Sequence, residues 1–352
     1  MPKIKLPVTR YYGSKRKLVD KIWNEIELLD LQFDSVLDVF GGTGIFSYFA
    51  KKKGKRVIYN DIFEFNSIIG KKLIEHNSNE LSLEEAVSLL SPKENILYKT
   101  IIQDNFKDVY FTEEENEQID IYIQNIELLD NENKKISAYY LIFQACIMKR
   151  PYNLFHRKNL NMRLNYSGGN FGNKKTWERS FSELFKRFIE ELNEFTFNNE
   201  LNNTAINSSA LKCNHMADLV YIDPPYFNNN GHHTTYHSKY HFLEGLVNYD
   251  SIVSNINTSK NNKEIDINKI DEFENKELFL GNLMTLIQKH ENCNIVISYR
   301  NNGVPTIEQI ENLINGIRPL YQNHTIDLGV YGYALNKNNK INNEFLFISK
   351  NE

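Results

Sequence analysis

The sequence predicts an α/β fold, namely a doubly wound and mostly parallel sheet with an inserted, mainly helical domain. Strand and helix patterns alternate between residues 35 and 76, as they do in parallel sheets with right-handed crossovers. The alternation stops between residues 77 and 203, where helical segments predominate, and it resumes from residue 204. These observations predict one domain formed by residues 1–76 and 204–352, and an inserted domain formed by residues 77–203.

Hydrophobic spacing and glycine punctuation predict the first half of the sheet. Leu18, Ile22, Ile26 and Leu29 recur at helical spacing after Ser14, a residue type that caps helix N-termini. The elements that follow are a strand at 35–40, a glycine-rich turn, a helix that ends at Gly54, a strand at 56–61 and a helix at 62–76. Their order is that of a β-α-β-α unit.

Apolar and β-branched runs predict the second half of the sheet, after an insert that includes a helix at 137–150. The predicted elements are strands at 204–209 and 217–222, a helix near 273–290 and a strand at 294–299. The segments at 324–335 and 343–350 are expected to pair as an antiparallel hairpin at the C-terminal end.

Composition and length indicate an ordinary globular chain. The 352 residues are 41% hydrophobic and 24% charged, and no stretch approaches the roughly 20 apolar residues that a membrane span requires. The N-terminus lacks an apolar signal core, so we expect a cytoplasmic protein without membrane contact. Cys146, Cys213 and Cys293 are far apart and odd in number, which predicts reduced, buried thiols.

Positive charge is concentrated in one segment of the predicted insert. The net charge is −4, but residues 149–187 contain ten Lys or Arg and two Glu, a balance of +8 that leaves −12 for the rest. Such segregation indicates a phosphate-contacting face, with a solvated helix pair as the alternative. The candidate phosphate-contacting residues are Arg150, Arg157, Lys158, Arg163, Lys174 and Lys175. If the phosphates are those of a nucleic acid, Asn161, Asn165 and Asn170 are candidate readers of base edges, since asparagine can pair with adenine.

The stretch "VFGGTG" at 39–44 predicts a nucleoside site. Glycines at a strand-to-helix turn let a ligand approach the backbone, and the helix N-terminus offers N–H groups. Asp61, at the end of the next strand, stands where an acid can bind ribose hydroxyls. Since Phe46 and Ser47 replace the third glycine of a dinucleotide loop, the pattern favours an adenosine-type ligand without that phosphate site.

The stretch "DPPY" at 223–226 directly follows a predicted buried strand. The Asp223 carboxylate and the Pro224 carbonyl can each accept one hydrogen of an exocyclic amino group, which exposes the nitrogen lone pair to a methyl donor. Tyr226 can stack on a base, which duplex DNA permits only after the nucleotide is flipped out. Pro225 fixes the turn between them. The motif therefore predicts amino methylation of a base.

The order of these motifs resembles that of the Dam-like, D12 class (alpha-type) adenine-specific DNA N6-methyltransferases. "RYYGSKRKLVDKI" at 10–22 is similar to the N-terminal cofactor segment, "FGGTG" to the FxGxG motif, and "NLFHRKNLNMRLNYSGGNFGN" to a DNA-contacting stretch. The resemblance implies a Rossmann-like methyltransferase domain, a DNA-recognition insert, and S-adenosylmethionine as methyl donor without a metal. It also implies double-stranded DNA as substrate and raises a restriction-modification system with a cognate endonuclease.

Carried over residue by residue, the resemblance implies two site sets. The implied cofactor residues are Tyr11, Lys15, Phe40, Gly42, Gly44, Asp61, Ser209 and Asp223; the implied catalytic residues are Asp223, Pro224, Pro225 and Tyr226. One departure is that Ser208 and Ser209 stand where the family has an acid that contacts the cofactor's adenine. Because a hydroxyl accepts a hydrogen bond more weakly than a carboxylate, we expect reduced cofactor affinity.

Three alternatives stay open on the sequence. The same chemistry would serve cytosine N4 or RNA, and the serine departure would also fit a catalytically silent DNA-binding protein. His233, His237 and His241 are spaced as helical metal ligands would be. Gly231 and two threonines argue against a long helix there, and no carboxylate or cysteine completes the set, so we expect a mobile loop over the flipped base.

Overall fold

The computed structural model describes residues 4–8, 10, 13–165, 174–228, 235–266, 271–330 and 343–351. The chain forms two compact units, the first comprising Met1–Glu75, Asn199–His233 and Lys269–Glu352 and the second His76–Asn198 and Thr234–Asn268. The structure thus groups residues 234–268 with the helical unit, whereas the sequence pattern places them in the sheet domain.

The helices are α1 (Val19–Leu28), α2 (Ile45–Lys52), α3 (Glu64–Gly70), α4 (Leu83–Ser88), α5 (Ile101–Asn105), α6 (Glu113–Glu127), α7 (Glu132–Met148), α8 (Leu160–Leu164), α9 (Lys174–Glu178), α10 (Phe181–Phe195), α11 (Tyr236–Val247), α12 (Ile252–Asn255), α13 (Phe279–Lys289) and α14 (Ile307–Ile317). The strands are β1 (Ser35–Asp38), β2 (Arg56–Asp61), β3 (Thr204–Asn207), β4 (Leu219–Ile222), β5 (Phe227–Asn228), β6 (Asn294–Arg300), β7 (Gly303–Val304), β8 (Gln322–Val330) and β9 (Asn343–Lys350).

The first unit contains a seven-stranded sheet in the order β3-β2-β1-β4-β6-β9-β8. The strands from β3 to β6 pair in parallel, and β9 pairs antiparallel with both β6 and β8. The predicted doubly wound, mostly parallel sheet and its C-terminal antiparallel pair are therefore confirmed. Strand order reverses between β1 and β4, and in open α/β sheets ligands bind beyond the strand ends at such a reversal.

Burial explains why the short central strands form. Every residue of β1, β4 and β6 is buried, as is usual for strands covered on both faces. Alternate apolar side chains of these strands share one core with α13 and α14, and the helices contribute Leu283, Leu286 and Ile310 to it. This rigid centre holds the C-terminal ends of β1 and β4 in register, Asp38 opposite Tyr221.

The second unit is helical, and its helices begin at strong caps. Thr112 and Ser180 form capping boxes with Glu115 and Glu183 at the starts of α6 and α10. Helix α7 is buried from Ile136 to Met148, so it is the central helix of this unit. Such a helix, apolar on all sides, is expected only when neighbours surround it.

Two further observations bear on the composition. Among the residues that the structure describes, no helix combines the length and the apolar character needed to cross a membrane. Cys146, Cys213 and Cys293 are buried free thiols, as predicted.

Candidate active site

The glycine turn after β1 is shaped by the side chain of Tyr59. A Cβ atom on Gly41 would lie 2.1 Å from the Tyr59 ring, and Gly44, at the N-cap of α2, has a φ of +68°. The Tyr59 hydroxyl donates to the Gly42 carbonyl oxygen at 2.8 Å. Glycine is therefore required here both for close packing and for a left-handed backbone.

Asp61, at the end of β2, stabilises the same turn through two hydrogen bonds. Its Oδ2 accepts a hydrogen bond from the Gly42 amide at 2.8 Å, and its Oδ1 accepts one from the Phe63 amide at 2.8 Å. Each carboxylate oxygen has two acceptor sites, so a ribose hydroxyl can still be bound. The structure thus brings Gly42, Gly44 and Asp61 together, as the glycine motif predicts.

Asp38, at the end of β1, is a site residue to which the sequence analysis gave no role. Its Oδ2 accepts from the Ser47 hydroxyl at 2.7 Å, while Oδ1 is buried without a hydrogen-bond partner among the described residues. Burial, aided by the charges of Asp223 and Asp61, raises the pKa of Asp38 to about 7. A buried, unsatisfied acceptor of this kind is costly and points to a donor supplied by a ligand.

Asp223 of the DPPY turn is held by Lys15. The Lys15 ammonium lies 2.9 Å from Asp223 Oδ1 and 2.7 Å from Glu344 Oε1. Burial raises the pKa of Asp223 to about 6, with Lys15 opposing this and Glu344 adding to it. Burial also opposes the charge on Lys15, but Asp223 and Glu344 outweigh it and raise the Lys15 pKa above its ordinary value.

The position of Lys15 refines the role expected for it. The resemblance implies a cofactor contact, whereas the structure puts its ammonium on the carboxylate of the DPPY motif. Tyr11, its predicted companion, lies outside the described residues. Glu344 was missed by the sequence analysis, because nothing in the local pattern of β9 distinguishes it from an edge-strand acid.

The ring of Tyr226 is fixed by its neighbours. The guanidinium carbon of Arg300 lies 4.1 Å from the ring centroid, and the Tyr299 ring meets it edge-on at 6.0 Å. Pro224 and Pro225 are buried beside it. The sequence analysis also missed Arg300, whose cation–π contact sets the plane of the Tyr226 ring.

Ser209 does not stand alone where an acid was expected. Its hydroxyl donates to Glu272 Oε1 at 3.0 Å, and Glu272 Oε2 is buried without a hydrogen-bond partner among the described residues. The next residue, Phe273, meets the ring of Phe40 edge-on at 4.9 Å. Glu272 therefore brings a carboxylate to the position where the sequence offers only a serine.

The cations of the basic segment separate into buried and exposed groups. Arg150 is 1% exposed and donates to the carbonyl oxygens of Leu154, Tyr110 and Arg157. Arg163 is 9% exposed and makes a two-bond ion pair with Glu115 at 2.7 and 2.8 Å. These contacts correct the expectation that Arg150 and Arg163 contact DNA, because both guanidinium groups are buried and hydrogen-bonded within the helical unit. The exposed candidates are Arg157, Lys158, Lys174 and Lys175.

The histidine segment also differs from the expected loop. His237 and His241 lie on α11, so the expectation that no helix forms there is wrong for these two residues; His233 lies outside the described residues. Burial lowers the pKa of His241 to about 3, and its Nδ1 accepts from the Ile265 amide. His241 is thus a neutral structural residue rather than a metal ligand.

Carboxylates do stand near His237, contrary to expectation. Ligand atoms of His237, Glu264 and Asp266 lie within 4.8 Å of one another. However, Lys260 lies 2.9 Å from Glu264 Oε1 and already supplies the positive charge. The group therefore has an internal explanation as a lysine–carboxylate cluster.

Comparisons with known proteins agree with the motif order. A sequence model described as D12 class N6 adenine-specific DNA methyltransferase matches residues 11–295. The chain is 33% identical over 231 residues to the type II methyltransferase M2.HphI of Haemophilus parahaemolyticus, covering 63% of this chain and 66% of that protein. It is 27% identical over 329 residues to the modification methylase StsI of Streptococcus sanguinis, covering 87% and 46%. It is 28% identical over 323 residues to the type II methyltransferase M.FokI of Planomicrobium okeanokoites, again covering 87% and 46%. The chain thus matches only about half the length of the latter two proteins.

Proposed function

We propose, since the chain belongs to the D12 class N6 adenine-specific DNA methyltransferase family, that it transfers a methyl group from S-adenosylmethionine to adenine N6 in double-stranded DNA. The observation that carries this proposal is the Asp223 carboxylate, held by Lys15 at the end of β4 where strand order reverses. A DNA substrate in turn supports a cytoplasmic location.

The cofactor proposal rests on acceptors that the fold leaves available. S-adenosylmethionine supplies an activated methyl group and carries ribose hydroxyls, amino groups and a positive charge. Asp38 Oδ1 and Glu272 Oε2 are buried acceptors without partners among the described residues, and both match such donors. Asp61 would bind the ribose, and Phe40 would pack beside the adenine, as the resemblance implies. Gly42 and Gly44 would let the ligand approach the backbone.

Asp223 and Tyr226 would act on the base. Asp223 accepts a hydrogen of the exocyclic amino group, and the Pro224 carbonyl accepts the other, so that the nitrogen lone pair becomes available. The nitrogen would then form the new bond to the methyl carbon as the bond from that carbon to the sulfonium sulfur breaks, which leaves S-adenosylhomocysteine. The nitrogen would also lose a proton, for which the Asp223 carboxylate is the nearest proposed acceptor. Tyr226 stacks on the flipped base. These steps use hydrogen-bond acceptors and need no metal; stoichiometric zinc in an elemental analysis would contradict this expectation.

The helical unit would choose the DNA site. Arg157, Lys158, Lys174 and Lys175 are exposed and supply phosphate affinity, and Asn161 and Asn165 are exposed candidate adenine readers; Asn170 lies outside the described residues. The names of the relatives support a role in a restriction-modification system, with a cognate endonuclease as a functional partner.

The test is to incubate the protein with mixed-sequence duplex DNA and methyl-labelled S-adenosylmethionine, and to digest the DNA to nucleosides. Label is expected in N6-methyladenine, and Asp223→Asn should abolish it. Label in N4-methylcytosine would instead identify cytosine as the target base. No label in DNA, with the cofactor bound, would refute the proposed activity and leave RNA methylation or silent DNA binding.

A further inference from the structure

Glu344 is a buried acid that binds neither the cofactor nor the target base in the proposed function. It lies on β9, has no exposed surface, and its Oε1 accepts hydrogen bonds from the Lys15 ammonium at 2.7 Å and the Ser298 hydroxyl at 2.6 Å. Burying an ionised carboxylate costs several kcal/mol unless partners compensate, and an apolar residue of similar size is often as stable. A purely structural role would thus not require an acid here.

Lys15 joins Glu344 to the catalytic motif. Its ammonium contacts both carboxylates, Glu344 Oε1 at 2.7 Å and Asp223 Oδ1 at 2.9 Å. A lysine side chain has four rotatable bonds, and one contact would leave the ammonium many positions. Contacts to two carboxylates, of which Glu344 also accepts a hydrogen bond from the Ser298 hydroxyl, restrict the ammonium to the place where it contacts Asp223.

We propose that Glu344 is a positioning residue. Together with Ser298 it holds the Lys15 ammonium against Asp223, and it shares the positive charge of Lys15 with Asp223. Asp223 therefore stays a strong acceptor for the amino group of the target base. This inference rests on the function proposed for the same site. It assigns a catalytic purpose to the C-terminal strand, which the DPPY and FxGxG motifs do not include.

The charges of Glu344, Lys15 and Asp223 support this positioning role. A pair of Lys15 and Asp223 alone would be neutral and the carboxylate a weak acceptor, whereas Glu344 makes the group net negative. Burial raises the pKa of Asp223 to about 6, with the charge of Glu344 acting in the same direction and Lys15 opposing both. Among the residues that the structure describes, Asp38, Tyr221 and Tyr226 also interact electrostatically with Lys15 or Asp223.

The test compares Glu344→Gln with the parent and with Ser349→Ala. Ser349 lies on the same strand, is buried, and accepts a hydrogen bond from Arg318 at 2.7 Å, so it controls for damage to β9. The Asp223 carboxyl is titrated by carbon-13 NMR and assigned with Asp223→Asn. Asp38→Asn identifies the signal of the neighbouring acid, whose pKa of about 7 falls in the same range.

In Glu344→Gln the pKa of Asp223 is expected to fall by about one unit, because a neighbouring negative charge is removed. We expect kcat at its pH plateau to fall about 10- to 100-fold with little change in KM, because the loss concerns placement during reaction rather than binding. Glu344→Asp restores the charge and should recover part of both quantities. Ser349→Ala should match the parent in both.

An unchanged Asp223 titration together with an unchanged kcat in Glu344→Gln would overturn the inference. So would equal losses in Ser349→Ala, since these would reflect damage to the strand. If Glu344→Gln does not fold, Ser298→Ala keeps all three charges and should lower kcat; an unchanged kcat there overturns the proposal. A parent that methylates no DNA, but whose Asp223 pKa still falls in Glu344→Gln, would refute the proposed function and leave the positioning role standing.

Discussion

Arg163→Ala should destabilise the helical unit without weakening phosphate binding, because the Arg163 guanidinium is buried and forms an ion pair with Glu115. That pair has two hydrogen bonds of 2.7 and 2.8 Å, and Arg163 also donates to the carbonyl oxygen of Trp177. Breaking a buried ion pair costs about 3–5 kcal/mol. Lys149, 2.7 Å from Glu115, keeps part of the compensation, so the low end of about 3 kcal/mol is expected. For a unit of this size, that loss lowers Tm by about 6–12 °C.

Fluorescence can isolate the helical unit in this experiment. The chain has two tryptophans, Trp23 in the first unit and Trp177 in the second, so urea unfolding of a Trp23→Phe background follows the second unit. Lys175→Ala is the matched exposed control, and it should keep the parent stability but reduce the slope of log K for DNA against log salt by about 1. Arg163→Ala should leave that slope unchanged in the folded protein. A loss of slope with parental stability in Arg163→Ala would refute the assignment of Arg163 to the interior.

The pH dependence gives a second check on the same pair. Burial would raise the pKa of Glu115, but Arg163 and Lys149 outweigh it and hold the pKa below its ordinary value. A carboxyl with a lowered folded-state pKa stabilises the protein above its unfolded pKa, about 4.3 for Glu, and this contribution is lost as pH falls. The stabilities of parent and Arg163→Ala should therefore converge at acid pH.

Three further predictions concern the sheet domain. The ratio kcat/KM for DNA should fall as pH drops below about 6, since protonated Asp223 no longer accepts the amino hydrogen; a profile flat to pH 5 would contradict this. Glu272→Gln should weaken S-adenosylmethionine binding about 10- to 100-fold by calorimetry, as expected for a charged acceptor worth about 1.5–3 kcal/mol, with a smaller loss in Ser209→Ala. Equal affinities for parent and Glu272→Gln would exclude this carboxylate from the cofactor site. Gly41→Ala should destabilise the protein by roughly 1–3 kcal/mol in thermal unfolding, because its Cβ would lie 2.1 Å from the Tyr59 ring. Tyr59→Leu should relieve the clash, and additive effects of the two changes would mean that the residues do not interact.

Local sequence predicted the sheet and the strand-end positions of several candidate site residues, because the relevant information lies within a few residues. Alternating β and α patterns, the glycine turn and the DPPY turn each fix backbone geometry locally, and the parallel sheet then brings their strand ends together. Asp61 and Asp223 could be placed in this way. The same local reasoning gave no signal for Glu344, which is 329 residues from Lys15, or for Glu272, which is 63 residues from Ser209.

The charged residues of the insert show a different limit. A count of cations cannot distinguish Arg163, whose partner Glu115 is 48 residues away, from Lys175, which is exposed. Both belong to the same basic segment and both favour phosphates in principle. Only the folded unit decides which donors are already satisfied, and Arg150 is satisfied by carbonyl oxygens, which no charge pattern predicts.

The acids of the sheet edge lead to a final prediction about ligand binding. Asp38 has a pKa of about 7 because it is buried and because Asp223 and Asp61 repel its charge, so it is about half protonated at neutral pH. A bound cation favours its charged form, so Asp38 should release a proton when S-adenosylmethionine binds. S-adenosylhomocysteine has the same nucleoside but lacks the sulfonium charge, so its binding should release fewer protons. Calorimetry at pH 7 in buffers of different ionisation enthalpy measures this number directly. Asp38→Asn should abolish the difference between the two ligands, and equal proton release for both in the parent would show that Asp38 does not sense the charge of the methyl donor.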